Sequence, residues 1–162
     1  MAYDREEAAA YARRWAFSFN PEFYNFSDIG GDCTNFASQC LLAGGLEMNF
    51  EHVFGWYYIS VNNRTPSWTG VNELYNFLVS NQGRGPRGEV VDLAEIEIGD
   101  IIQLKFDTGP RFDHSPVVTS VGNHTPETIL VAARTNDSKN RPLSTYNYID
   151  IRPIHILDFI AL

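Results

Sequence analysis

A chain of 162 residues with 44% hydrophobic content is long enough for one domain with a sizeable core and gives no reason to invoke a second. Twelve Lys plus Arg against twenty Asp plus Glu leave a formal charge of −8, with Arg13-Arg14 the one adjacent basic pair. That balance argues against nucleic-acid backbones and anionic membrane surfaces as partners, and no run reaches the ~18 uninterrupted apolar residues of an inserted span.

In chain order, Ala8, Tyr11, Ala12, Trp15 and Ala16 recur at helical spacing across 4–17, with Asp4 as a cap and Glu7 three residues later. Asn20-Pro21 ends this helix, and the aromatic stretch Phe23-Tyr24-Asn25-Phe26 leads to Gly30-Gly31. A second helix is expected over 33–43, closed by Gly44-Gly45, with Cys33, Phe36, Ala37, Cys40 and Leu41 on its buried face. Cys33 and Cys40, seven apart on that helix, would lie about 10 Å apart, beyond the ~7 Å reach of a disulfide. Both are expected as free thiols, Cys40 as a small core residue.

Residues 46–70 show no period and hold Trp56, Tyr57, Tyr58 and Trp68, which reads as a long ordered connection. A third helix over 71–79 and a loop over 82–88 follow. Then 101–106, 115–121, 128–134 and 148–156 are rich in β-branched residues and separated by Gly, Pro, Asn and Asp, as strands are. Helices first and strands later give an α+β fold in a single domain over 1–162.

Cys33 lies in Gly30-Gly31-Asp32-Cys33-Thr34-Asn35-Phe36, at the start of a helix. The free N–H groups and positive dipole end there favour thiolate over thiol, which is how a cysteine becomes a nucleophile near neutral pH. Asp32 reads as the helix cap. Asp113-His114-Ser115 opens a strand about eighty residues on and supplies a candidate base. If 122–127 is a hairpin loop, His114 falls opposite 134–136, and Arg134 or Asn136 is expected to share its face. Asn136 is the better orienting group because its amide oxygen accepts a hydrogen bond, which Arg cannot do; Asp137 substitutes if a bulge shifts the register. His52, His124 and His155 have no ligand spacing, so neither a metal nor another cofactor is expected.

Taken together, Asn20-Pro21, Tyr24-Asn25-Phe26, the Gly30–Phe36 motif with Ser38-Gln39-Cys40, Trp56-Tyr57-Tyr58, Ser67-Trp68-Thr69-Gly70-Val71, Gly99-Asp100-Ile101-Ile102-Gln103, His114-Ser115 and Asn140-Arg141-Pro142-Leu143 resemble the bacterial putative amidase domain family. The resemblance spans essentially the whole chain and implies a papain-like fold of the NlpC and CHAP type, with N-terminal helices packed on an antiparallel sheet or small barrel. It implies a cysteine-dependent amide hydrolase acting on bacterial cell-wall peptides, extracellular or in the cell envelope if the chain is part of a longer exported protein. Cys33 then corresponds to the nucleophile, His114 to the general base, and Asn136 to the orienting residue, since family members often carry His where this chain has Arg134. Tyr24 is an oxyanion candidate, and Trp56 and Trp68 are substrate-groove candidates. The rival reading is a non-catalytic cell-wall or protein-binding module on the same scaffold, with Arg134 as its best support.

Overall fold

The computed structural model describes residues 2–135 and 137–157. Helix α1 (Arg5–Trp15) begins as its sequence predicts: the Asp4 side chain accepts a hydrogen bond from the Glu7 N–H at 3.0 Å. Glu6 and Glu7 sit in its first turn and Arg13 and Arg14 in its last, each at the favourable end of the dipole. Its small buried residues Ala8 and Ala12 allow α2 (Cys33–Ala43) to pack closely against it. Gly44 closes α2 through its backbone N–H, and Cys33 and Cys40 are both buried free thiols.

The stretch 46–70 carries regular elements that its sequence does not reveal. It holds β1 (Tyr58–Ser60) and β2 (Asn63–Arg64), which pair as a small hairpin, and the single turn α3 (Pro66–Thr69). Elements this short are shorter than the window over which a hydrophobic period can be read. Helix α4 (Val71–Ser80) follows, burying Leu74, Phe77 and Leu78.

The remaining strands are β3 (Gly88–Val90), β4 (Ile101–Lys105), β5 (Val117–Ser120), β6 (Leu130–Ala133), β7 (Ser138–Pro142) and β8 (Asp150–Ile156). They form one antiparallel sheet in the order β3-β8-β4-β5-β6-β7. Strands β3 and β7 each have one neighbour, so the sheet is open and the small barrel entertained from the sequence is not formed. Neither edge strand is among the strands read from the sequence. An edge strand needs little apolar character, and β7 is Ser-Lys-Asn-Arg-Pro.

The two faces of the sheet are covered differently. Ile101, Val117, Ala132 and Ile154 face the helices and join Phe36, Cys40, Leu41, Leu74 and Leu78 in one core. Ile102, Leu104, Val118 and Val131 face the other way and pack with Ile96, Ile129, Leu143 and Tyr146 from connecting segments.

Trp56 and Trp68 are fully buried, so neither lines a surface groove. Their rings lie 4.8 Å apart in the helix-side core. The Trp56 Nε1–H donates to Ser38 Oγ at 3.1 Å and the Trp68 Nε1–H to Asn35 Oδ1 at 2.9 Å, fixing α3 and the preceding loop onto α2. Trp68→Phe is expected to cost about 1–3 kcal/mol, because it leaves the buried Asn35 oxygen without that donor. The midpoint of urea unfolding measures it, and an unchanged midpoint would show that the bond contributes nothing.

Candidate active site

Gly30 and Gly31 take φ of +80° and +103°, a left-handed path that lets the loop after Phe26 turn directly into α2. Cys33 is the first residue of that helix and is 8% exposed. Its Sγ lies 3.7 Å from Thr34 Oγ1 and beside the backbone N–H of Ser115, and both contacts favour thiolate. Burial outweighs them and pushes the thiol up, with the neighbouring Asp32 carboxylate adding to the rise. The expectation of a lowered thiol pKa is thus reversed: the helix end is where the sequence placed it, but the sulfur is too well desolvated.

Asp32 occupies the cap position without capping. Its side chain makes no capping hydrogen bond; Oδ1 instead accepts from the Phe26 N–H and from Asn35 Nδ2, each at 2.8 Å. The helix start is therefore left without a carboxylate over its first N–H groups. Burial pushes the Asp32 carboxyl up, partly offset by these two donors and by Arg134.

The residues opposite His114 hold this turn in place. Thr135, at φ +61°, accepts the Asp32 N–H on Oγ1 at 2.8 Å. Arg134 Nε stands 3.6 Å from Asp32 Oδ2 and 3.5 Å from Asp137 Oδ1, ion-pair distances too long for a good hydrogen bond. Its Nη1 points to the Trp15 carbonyl at 3.4 Å. The strand register is the one expected, Val117 opposite Ala132 and Val118 opposite Val131. Directly opposed residues share a face, so Arg134 shares the face of Ser115, not that of His114. Arg134 and Asp137 are therefore turned to the start of α2, and Asn136 lies outside the described residues.

His114 pairs with Leu104 in an isolated bridge and sits on the Leu104 face of the sheet. Its ring lies 5.9 Å from that of Tyr146 and 6.3 Å from that of Phe106. Burial lowers its pKa to about 4, the Arg141 charge adds to the drop, and Asp113 opposes it. At neutral pH the imidazole is uncharged and able to accept a proton.

The structure brings Cys33 against the peptide between His114 and Ser115, with Thr34 Oγ1 and Ser115 Oγ 3.2 Å apart across the same contact. Gln103 Nε2 donates to Ser115 Oγ at 3.2 Å, tying the contact to β4. No hydrogen bond joins the His114 ring to the sulfur. Tyr24, 42% exposed, is tied to the first turn of α2 through its carbonyl, which accepts from Asn35 Nδ2 at 2.9 Å. No hydrogen bond links Tyr24 to Cys33. Thr34, Ser115, Thr135 and Tyr146 were not singled out from the sequence; only their position beside Cys33 or His114 would have pointed to them.

Among known proteins, the chain is 37% identical over 142 residues to an uncharacterized protein, YhbB, of Bacillus subtilis (strain 168), an alignment covering 86% of this chain and 43% of the relative. The chain thus spans less than half the length of that relative. No solved structure matches. The family model for the putative amidase domain matches residues 2–157, with Cys33 and His114 inside the match. The chain belongs to the putative amidase domain family.

Proposed function

We propose that this protein is a cysteine-dependent amide hydrolase in which Cys33 is the nucleophile and His114 the general base. The observation that carries this reading is the docking of the α2 start on the strand entry, where Thr34 Oγ1 and Ser115 Oγ, on the residues next to Cys33 and His114, lie 3.2 Å apart. The His114 ring lies on the Leu104 face of the sheet, so in this role it turns at the strand entry toward the sulfur; catalytic hydrogen bonds are often long in unliganded sites and tighten on substrate.

In this mechanism a neutral His114 nitrogen takes the thiol proton as the sulfur attacks the amide carbonyl carbon. The oxyanion that forms is met by the backbone N–H of Cys33 at the uncapped helix start, with the Tyr24 hydroxyl as the side-chain donor. The tetrahedral intermediate collapses, His114 gives its proton to the leaving amine, and a thioester remains on Cys33. Water, deprotonated by His114, then attacks the thioester; the carboxylic acid leaves and the thiol is restored.

A cysteine at a helix start and a histidine at a strand entry on an antiparallel sheet support a papain-like reading. Peptide amides of bacterial cell wall are the proposed substrate class, on the resemblance to NlpC and CHAP enzymes. The test is incubation with soluble muropeptides, with new amino groups measured and the acid-quenched protein weighed by intact mass spectrometry. New amines together with an acyl adduct on Cys33 are expected. Amine release with no adduct under rapid quench, and no loss on blocking the thiol, would sink the reading.

The raised thiol pKa of Cys33 favours a second reading, a binding module that keeps the scaffold without turnover. That reading predicts retention on insoluble cell wall with no new amines from muropeptides.

A further inference from the structure

We propose that Tyr146 is a positioning residue for His114, its phenolic oxygen accepting the imidazole N–H and so fixing which nitrogen is presented to Cys33. The inference rests on the reading of His114 as the general base. Tyr146 is 8% exposed, and its Oη is buried without a hydrogen-bond partner among the described residues. His114 is 7% exposed, and among the described residues its ring nitrogens make no hydrogen bond either. A buried hydroxyl left unpaired costs about 1–3 kcal/mol, and native proteins seldom leave one without a purpose.

The two unpaired groups are neighbours. Their ring centroids are 5.9 Å apart and the planes are tilted by 56°. At this centroid separation a change in the His114 side-chain torsions can carry a ring nitrogen to the phenol oxygen, which lies on the Tyr146 ring axis and is not moved by turning that ring. The Tyr146 ring is held for this: the Arg141 guanidinium lies 3.7 Å from its centroid. Arg141 is itself anchored, Nε donating to Thr145 Oγ1 at 2.7 Å and Nη2 to the Thr145 carbonyl at 3.0 Å. The Phe106 ring lies 6.5 Å from that of Tyr146 and 6.3 Å from that of His114.

The chemistry gives the contact a purpose. When His114 takes the thiol proton it becomes a cation in a buried site next to the Arg141 charge, which opposes it. A phenol oxygen can accept from the imidazolium N–H, and so stabilise the charged form, without bringing in a carboxylate. It also fixes the tautomer, the service an orienting residue provides in a nucleophile–base pair.

Tyr146→Phe tests this, because it removes the hydroxyl and keeps the ring. On soluble muropeptides kcat should fall by about tenfold or more with KM little changed, and the acid limb of kcat/KM should move to lower pH. Independently of turnover, the NMR titration midpoint of the His114 ring should move to lower pH in the variant.

An unchanged His114 titration with unchanged kcat would overturn the proposal, and is what a hydroxyl serving only a resident water would give. A lowered thermal midpoint with an unmoved His114 titration would also overturn it, by making the hydroxyl a structural bond. If Tyr146→Phe is silent while His114→Ala is inactive, only this inference fails. If His114→Ala keeps full activity, the base assignment fails, and the NMR titration still decides whether the two side chains pair.

Discussion

Cys33→Ala is expected to eliminate amide hydrolysis, and His114→Ala to lower kcat by about 10²–10⁴, the usual contribution of a positioned general base. Neither side chain belongs to the two hydrophobic clusters of the core, so circular dichroism of both variants should match the wild type. The resting site holds a thiol and a neutral imidazole, because burial raises Cys33 and brings His114 down to about 4. The active form of the base therefore survives in acid further than an ordinary histidine would allow. The acid limb of kcat/KM is expected near pH 4, not near 6.5. A limb near 6.5 would mean that His114 is not the group being titrated.

The same burial links His114 to stability. Its folded pKa is depressed, so the contribution is present above the unfolded value of 6.5 and is lost as pH falls toward about 4. In that window the unfolded chain binds a proton that the folded protein does not. His114→Gln should flatten this part of the stability profile.

Arg134→Ala is expected to destabilise the protein by about 3–5 kcal/mol, the cost of removing one partner from a buried ion pair. Asp32 is 2% exposed and Arg134 5%, so the carboxylate left behind cannot turn to water. The loss should be largest near neutral pH and should shrink as acid protonates Asp32, whose carboxyl burial already pushes up. Urea unfolding at neutral and acid pH measures both effects. Activity should fall with stability, because Asp32 directly precedes Cys33 and Thr135 holds the same turn. A loss of less than about 0.5 kcal/mol, the range of an ordinary surface substitution, would show that the pair is not what fixes the start of α2.

Much of the architecture follows from periodicity and punctuation. Asp4 and Glu7 start α1, Gly44 ends α2, and the β-branched runs of β4, β5, β6 and β8 lie where their composition places them. The register of β5 against β6 also follows from the loop between them. Short or polar elements were not legible. The hairpin of β1 and β2 and the edge strands β3 and β7 are held by pairing partners that no local pattern reveals.

At the candidate site the division is sharper. Sequence alone determined that Cys33 opens a buried helix and that His114 precedes a core strand, because a glycine pair, a helical stripe and a β-branched run are all local signals. It could not determine the state of the thiol. The helix end lowers a thiol pKa and burial raises it, and only packing decides that burial is the larger effect here. The register parity puts Arg134 on the Ser115 face, but that it meets Asp32 there, and that Tyr146 lies beside His114, only the packing decides. Trp56 and Trp68 make the same point, since an aromatic side chain with a polar N–H suits a groove or a core equally well until Ser38 and Asn35 supply buried partners. The sequence by itself determined the positions along the chain of the nucleophile and base candidates. The tertiary structure decided their protonation, their neighbours and which polar group was left unpaired, because desolvation and hydrogen bonding depend on residues far away in sequence.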